Sequence, residues 1–109
     1  MKDDLVYIEH ILLSISNIQE YTRNMTKASF EKNQMVQDAV IRNIEIIGEA
    51  AKKISNDTKN TYYQVPWKEM AGMRDKMIHD YMGVDVAVVW KTIETDIPQL
   101  EQLLKDIDN

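Results

Sequence analysis

The sequence predicts an all-α protein, an up-down bundle of four helices. Three observations favour this fold class. Apolar residues recur at three- and four-residue spacing along most of the chain, which is the spacing of one helical face. Glycine and proline are scarce, with three and two residues, while Ile, Leu, Val, Met and Ala recur throughout. A chain of 109 residues has the length of one domain with a modest core, so we expect residues 1–109 to form a single domain.

The first two helices follow from two apolar stripes. The first stripe begins at Leu5, and its pattern breaks in "NMTKASFEKNQ", so this helix should end near residues 23–25. The second runs from Val36 to Ile54, where "SNDTKN" supplies residues that prefer turns. The stretch 58–66 is expected to add a short helical turn. Gly48, in the middle of the second helix, predicts the close approach of a neighbouring helix or chain.

The third and fourth helices are marked by their terminal residues. "VPW" opens the third helix, with Pro66 in the first turn, where its missing N–H is not needed. That helix should end near "DYMGVD", with Gly83 in the turn. Asp85 is the expected N-cap of the last helix, whose apolar stripe extends to Ile107. Pro98 lies inside this helix and predicts a kink.

The charge distribution limits the possible nucleic-acid roles. The net charge of −5 argues against a protein that coats nucleic acid through a generally basic surface. Residues 52–76, however, hold six basic and three acidic side chains, a local balance of +3. This balance is either a fluctuation along a solvated surface or a zone that attracts phosphate. In the second case, a partner, an oligomer or a structured target would be needed to hold RNA.

No metal, cofactor or membrane segment is expected. The chain has no cysteine, which excludes disulfides and thiolate metal sites and fits a cytoplasmic location. Its two histidines are far apart, and helical glutamates at the spacing of Glu45 and Glu49 are too common to indicate a cation site. The acidic start "MKDD" and the short apolar runs predict neither a signal peptide nor a membrane span.

The segment "RDKMIHDY", residues 74–81, breaks the pattern of the third helix. On an ideal helix, which turns about 100° per residue, Arg74 falls in the middle of the apolar stripe. That stripe consists of Trp67, Met70, Met77, Ile78 and Tyr81. A guanidinium remains charged in proteins, so a buried one needs an anionic or hydrogen-bonding partner.

Two interpretations of Arg74 remain open at this point. In one, Arg74 contacts a glutamate or Asn43, and the contact fixes the register of the bundle. Asn43 is a polar residue in the middle of the apolar stripe of the second helix. In the other, the stripe opens onto a cleft or a second chain, where the planar guanidinium can bind a phosphate.

His79 complicates a phosphate site. On a regular helix it lies about 140° from Arg74, so one such pair would not converge on a single phosphate. Either the helix unwinds near His79, or the site joins two chains across a twofold axis. Asp75 lies four residues before His79 and could orient its imidazole.

Several segments together resemble a known family. "RDKMIHDY" fits Arg-x4-His-x-Tyr, the motif of HepT-like proteins, the toxin half of HepT/MntA toxin–antitoxin pairs in the HEPN superfamily. "AVIRNIEIIGEAAKKI" is similar to that family's second helix and "VPWKEMAGMRDKMIHDYMGVD" to its third helix and following turn. "VWKTIETDIPQLEQLL" is similar to its last helix, so the resemblance extends over residues 35–107.

The resemblance implies a HEPN-like helical homodimer, with the motif in an interface cleft, that cleaves RNA such as tRNA or mRNA without a metal. Arg74 and His79 would be the catalytic pair, with Tyr81 in the same site and Asp75 and Asn43 in support. It further implies a minimal nucleotidyltransferase antitoxin, similar to MntA, that adenylylates Tyr81.

Two departures from the family pattern keep alternatives open. The family often has Asn where this chain has Asp75, and an aromatic residue where it has Met82. The extra negative charge of Asp75 favours weak or very selective activity. One alternative is a catalytically inactive module that partners a nucleotidyltransferase and binds a nucleotide or RNA through Arg74. Another is an interaction bundle in which Arg74 is purely structural.

Overall fold

The computed structural model of the protein describes residues 2–78 and 83–108. Over these residues the protein is all-helical, as the sequence predicts, and its β pairing is confined to a single bridge between Ile78 and Val84. A turn of π-helix at Thr92–Asp96 joins the last two α-helices. The α-helices are α1 (Lys2–Tyr21), α2 (Lys27–Glu31), α3 (Gln34–Lys52), α4 (Asn56–Thr61), α5 (Trp67–Ala71), α6 (Met73–Met77), α7 (Val86–Lys91) and α8 (Ile97–Asp108).

The core forms where the predicted apolar stripes face one another. Helix α1 packs along α3, α8 lies against α1, and α5 and α6 lie against α3. The stripes of the first, second and last predicted helices are buried together because three-four spacing brings their side chains to one face. Their most deeply buried members are Ile8, Ile15, Ile18, Val40, Ile44, Ile47, Ala51, Val89, Ile97 and Leu104. Ile11, which the predicted first stripe left out, is also fully buried, whereas Leu12, which it included, is only partly buried. None of the helices in the described ranges is long and apolar enough to cross a membrane.

Two short helices arise from local capping rather than from a long stripe. In α2, which lies inside the predicted break, Thr26 and Ser29 form a reciprocal capping box. Phe30 then anchors α2 to the core against Trp90, with ring centroids 5.2 Å apart. In α4, the Ser55 side chain accepts a hydrogen bond from the Thr58 N–H. The turn expected within 58–66 is therefore a helix that begins earlier, at Asn56.

The predicted third helix is divided into two short helices. Gly72 lies between α5 and α6, and glycine weakens a helix interior because it has the greatest conformational freedom to lose. After this break Met73 is buried, whereas the Arg74 side chain is 48% exposed. The prediction that Arg74 lies within the buried apolar stripe is wrong, because it assumed a regular helix through Gly72.

The last predicted helix has the expected start and an altered interior. Asp85 is the N-cap of α7, and its carboxylate accepts a hydrogen bond from the Val88 N–H at 3.2 Å. A π-helical turn lies just before Pro98, where the Ile97 N–H bonds to the Thr92 carbonyl. Pro98 itself has no N–H to donate. The kink expected at Pro98 stays a prediction.

Candidate functional site around Arg74

Helix α3 comes close to the backbone of α5 at Gly48. A Cβ built on Gly48 would lie 3.3 Å from the carbonyl oxygens of both Met70 and Ala71. The close approach predicted from this glycine is therefore confirmed. The helices run antiparallel here, since Glu45, three residues before Gly48, contacts Arg74, three residues after Ala71. Each step back along α3 thus corresponds to a step forward along α5 and α6.

Arg74 forms an ion pair with Glu45 at the protein surface. Its Nε donates to Glu45 Oε2 at 3.0 Å, and the two side chains are 48% and 35% exposed. Its Nη1 lies 3.9 Å from Asp75 Oδ1, on a side chain that is 84% exposed. A glutamate is thus the partner, as one interpretation expected, but the pair is not buried. Because exposed pairs contribute only about 0–1 kcal/mol to stability, this one orients the guanidinium more than it holds the fold.

Asn43 does not contact Arg74. Its side chain is buried and joins α1 to α3: Asn43 Oδ1 accepts from Asn17 Nδ2 at 3.2 Å, and Asn43 Nδ2 donates to the Ala39 carbonyl at 2.9 Å. The Arg74–Asn43 contact considered from the sequence is therefore wrong. Asn43 lies two residues from Glu45, so it faces the opposite side of α3.

A pocket of ≈ 310 Å³ opens between α3 and the α5–α6 pair. We call it the Arg74 pocket. It contains three positive and three negative side chains, so its lining has no net formal charge, and its charged residues are Arg42, Glu45, Glu49, Lys52, Arg74 and Asp75. Lys52 Nζ lies 3.4 Å from Glu49 Oε1, so both glutamates of the pocket are paired.

The other two residues of the motif, His79 and Tyr81, lie outside the described residues. Helix α6 ends at Met77, and Ile78 has an extended backbone, with φ −114° and ψ 122°. The helical spacing that related Asp75 and Arg74 to His79 therefore no longer applies beyond Met77. The structure corrects the expected helix end near "DYMGVD" to a position before His79.

The described residues on either side of 79–82 are joined by backbone hydrogen bonding. The Asp85 N–H bonds to the Met77 carbonyl at 2.7 Å, and Ile78 pairs with Val84 in the antiparallel bridge. Gly83, with φ +98°, occupies the left-handed region that glycine tolerates best, which confirms its predicted turn role. Residues 77–78 and 84–85 therefore lie side by side at the end of α6.

The described residues hold no cluster of three or more histidines, cysteines or carboxylates that could bind a metal ion. His10 packs edge-on against Tyr7, with ring centroids 6.3 Å apart, and does not line the Arg74 pocket. Glu45 and Glu49, which were considered as a cation pair, each face a basic side chain instead.

The sequence pattern did not indicate Glu45 as the partner of Arg74, nor Arg42 as a residue of the pocket. The signal for Glu45 was Gly48: if Gly48 lies against Ala71 in an antiparallel pair, the same register brings Glu45 to Arg74. That register could not be chosen before the structure located the contact of Gly48.

The family model and the relatives that this chain matches carry related names. The family model "Ribonuclease HepT-like" matches residues 11–107. "Probable ribonuclease HepT" of Thermococcus cleftensis is 52% identical over 95 residues, which cover 87% of this chain and 86% of that protein. A "Putative RNase" of Caldanaerobacter subterraneus subsp. tengcongensis is 41% identical over 107 residues, 98% of this chain and 96% of that protein.

A further relative is longer than this chain. It is a Methanocaldococcus jannaschii protein named "Gamma-glutamylcyclotransferase and putative RNase", 48% identical over 105 residues. The match covers 95% of this chain but 47% of that protein, so this chain spans about half of its length. No solved structure matches the chain.

Proposed function

The chain belongs to the HepT-like ribonuclease family, and we propose that it is a metal-independent RNA endonuclease that acts as the toxin of a toxin–antitoxin pair. Arg74 and His79 are its catalytic pair. The names of the relatives support ribonuclease activity at the level of the family. The assignment of the two residues rests on the Arg-x4-His-x-Tyr motif and on the position of Arg74.

The proposed reaction uses the RNA's own 2′-hydroxyl as the nucleophile. Its oxygen attacks the adjacent phosphorus, the bond to the 5′-oxygen breaks, and the products are a 2′,3′-cyclic phosphate and a 5′-hydroxyl. His79 either takes the proton from the 2′-hydroxyl or gives a proton to the leaving oxygen, which suits a side chain that titrates near neutral pH. Arg74 stabilises the negative charge that gathers on the phosphoryl oxygens in the transition state.

The observation that carries the proposal is the exposed, oriented guanidinium of Arg74. Glu45 accepts a hydrogen bond from Arg74 Nε, and within the described residues the ion-pair partner of Arg74 Nη1 is Asp75, 3.9 Å away. A guanidinium has five N–H donors, so the Nη edge of Arg74 can bind two phosphoryl oxygens while Nε remains on Glu45. The Arg74 side chain is 48% exposed, so this edge is open to a ligand from solvent.

We propose that α1, α3, the α5–α6 pair and the α7–α8 pair are the four helices of an up-down bundle, and that two copies form a homodimer around the motif. The position of the Arg74 pocket at the surface supports this assembly, because a second copy can reach it. A dimer would also bring together two local positive zones in a chain whose net charge is −5. Light scattering after gel filtration measures the oligomeric state directly.

We further propose that a minimal nucleotidyltransferase is the antitoxin and adenylylates Tyr81, in the cytoplasm where toxin and RNA meet. Tyr81 follows Arg74 by seven residues, and an AMP group there would bring a bulky anion to the site. Such an anion would compete with RNA for Arg74, which gives a physical route to inhibition.

The balanced charge of the pocket supports a second candidate function. Three carboxylates, including the exposed Asp75, offset its three basic side chains. This arrangement suits a catalytically inactive module that binds a nucleotide or an RNA end through Arg74 and partners a nucleotidyltransferase. It would bind such ligands without turnover.

Cleavage without metal separates the two candidates. Total RNA and purified tRNA are incubated in EDTA with wild type and with His79→Ala, and the ends of the products are determined. The proposed ribonuclease gives cyclic phosphate ends with wild type and none with the variant. Equal cleavage by a folded His79→Ala protein contradicts the catalytic assignment, and binding without cleavage by wild type supports the inactive module.

A further inference from the structure

The three arginines of the chain differ in their partners. Arg23 pairs with Glu20 near the end of α1, and Arg74 pairs with Glu45. Arg42 is exposed on α3 and makes neither a hydrogen bond nor an ion pair with any residue in 2–78 or 83–108. Arg42 nevertheless lines the Arg74 pocket, so this pocket contains one paired and one unpaired guanidinium.

The carboxylates nearest to Arg42 on α3 are already engaged. Asp38, four residues earlier, accepts a hydrogen bond from Gln34 at 2.9 Å. Glu45, three residues later, accepts from Arg74. Residues three and four apart are neighbours on a helix surface, so both acids lie within reach of Arg42, yet neither pairs with it. An external anion at Arg42 would therefore not have to displace an internal one.

The helix register places Arg42 at the end of the pocket that lies nearer to the C-terminal end of α6. Gly48 lies against Ala71, and Glu45 against Arg74. One further helical turn brings Arg42 level with Met77, the last residue of α6, because the two helices are antiparallel. The chain continues from this point into the segment that contains His79.

Arg42 also lines a second pocket on its other side. This pocket, of ≈ 250 Å³, lies between α1 and α3 and includes Tyr7, His10 and Lys53. Glu45 and Glu49 also line it, and each is paired with a basic side chain of the Arg74 pocket. Arg42 thus stands between the Arg74 pocket and a surface with two aromatic rings and a lysine. This order of phosphate-binding and aromatic groups suits single-stranded RNA, because its backbone is charged and its unpaired bases can stack on aromatic rings.

We infer that Arg42 binds the RNA phosphate next to the one that is cleaved, and that the strand continues from there over α3 toward Tyr7 and His10. This inference rests on the proposed ribonuclease function and adds the path of its substrate. The guanidinium of Arg42 can hold a phosphate through two parallel hydrogen bonds. Because it contacts a phosphate that does not react, Arg42 contributes to substrate affinity and not to the chemical step.

The test measures RNA binding in a protein that does not cleave. Fluorescence anisotropy is recorded with the His79→Ala protein, alone or combined with Arg42→Gln or Arg23→Gln. The probe is a short fluorescein-labelled single-stranded 2′-O-methyl RNA, which lacks the attacking hydroxyl and so stays intact whether or not the protein cleaves. The two arginine variants change the net charge equally, but only Arg42 lies at the pocket. Arg42→Gln should weaken binding roughly tenfold, as expected for a lost charge-assisted contact, and Arg23→Gln should leave it unchanged.

Salt dependence adds a second readout. One lost phosphate contact lowers the slope of log K against log salt by about 0.7 for a single strand. Arg42→Gln should show this smaller slope and Arg23→Gln the full one, while Arg42→Lys should retain the slope and lose part of the affinity. Equal affinity and slope in Arg42→Gln and Arg23→Gln, or no RNA binding by the parent protein, overturns the inference.

The outcomes for cleavage and binding are separable. If His79→Ala cleaves RNA as wild type does while Arg42→Gln still weakens binding, the catalytic assignment fails and the phosphate contact stands. If His79→Ala is inactive while Arg42→Gln binds RNA as well as Arg23→Gln does, the ribonuclease assignment stands and the role of Arg42 is wrong. Thermal unfolding of each variant verifies that it is folded.

Discussion

Arg74 and Glu45 meet across the antiparallel pair of α3 and α6, with Arg74 Nε 3.0 Å from Glu45 Oε2 and both side chains partly in solvent. The hydrogen bond engages one donor of the guanidinium and fixes its plane. The Nη groups remain on the open side, next to Asp75. An arginine held in this way loses less conformational freedom when a phosphate binds, which is the benefit of a preorganised site.

Glu45→Gln should lower kcat for RNA cleavage by roughly tenfold without raising KM, because misplacement of a transition-state contact affects the chemical step most. The free energy of unfolding should change by less than about 1 kcal/mol, since the pair is exposed. Glu49→Gln, which removes the carboxylate paired with Lys52 in the same pocket, is the matched control. Equal effects of the two variants on kcat would show that Glu45 has no specific role in positioning Arg74.

Gly48→Val should destabilise the protein by about 2 kcal/mol, because even a Cβ would lie 3.3 Å from two backbone carbonyl oxygens. The larger side chain must push α3 away from α5, and Glu45 would move away from Arg74 with it. Ala87→Val, at an exposed position of α7, controls for the β-branched side chain in a helix. Urea unfolding measures both, and a Gly48→Val protein as stable as the control would contradict the close approach.

The buried carboxylate of Asp4 should make stability depend on acid pH. Ser55 donates from its backbone N–H at 2.9 Å and its hydroxyl at 2.6 Å, and Thr58 donates from its hydroxyl at 2.5 Å. The side-chain hydrogen bonds from Ser55 and Thr58 hold the pKa of Asp4 below its ordinary value, although burial opposes them. Above the unfolded-state pKa of Asp4, about 3.9, the carboxylate should make its full contribution to the free energy of unfolding. This contribution should be lost as the pH falls through the lower folded-state pKa.

Asp4→Asn tests this contribution. At neutral pH the variant should lose about 1–3 kcal/mol of unfolding free energy, since hydrogen bonds to a charged group are replaced by weaker ones. Its unfolding free energy should also vary less with pH than that of wild type below about pH 4. Asp3→Asn, at the exposed neighbouring position, should change neither quantity. Parallel pH profiles for wild type and Asp4→Asn would contradict the prediction.

Coexpression with a nucleotidyltransferase of the antitoxin class should add AMP to wild type but not to Tyr81→Phe. Intact mass spectrometry detects the addition, and fragmentation locates it. Tyr63→Phe is the control, because Tyr63 is 76% exposed and should be irrelevant to modification of the motif. If Tyr81→Phe still gains AMP, the modified residue lies elsewhere, and the proposed inhibition through Arg74 loses its basis.

The long helices could be predicted because their information is local. The stripes of α1, α3 and α8, the cap at Asp85 and the turn at Gly83 each depend on a few neighbouring residues. The exposure of Arg74 could not be predicted in this way. It depends on one glycine, Gly72, which interrupts an otherwise helical pattern, and a sequence pattern cannot tell whether such a glycine is tolerated or breaks the helix.

The sequence singled out residues 74–81 as the candidate site, and this assignment stays a prediction, while the contacts that Arg74 makes depend on tertiary register. The sequence indicated Arg74 as an unusual residue and considered a glutamate among its partners. Which glutamate it contacts follows from the packing of Gly48 against Ala71, a relation between helices that are separated by α4. The same register brings Arg42 into the pocket, although its charge alone would not distinguish it from a solvated surface residue.

The role of Arg74 is tested by the single-turnover rate of RNA cleavage, in EDTA and at saturating protein, for wild type, Arg74→Ala and Arg23→Ala. Arg74→Ala should slow cleavage by at least about 100-fold, the usual loss for one transition-state donor, while Arg23→Ala should cleave at the wild-type rate. A folded Arg74→Ala protein that cleaves as fast as Arg23→Ala would contradict the central claim that this guanidinium stabilises the transition state.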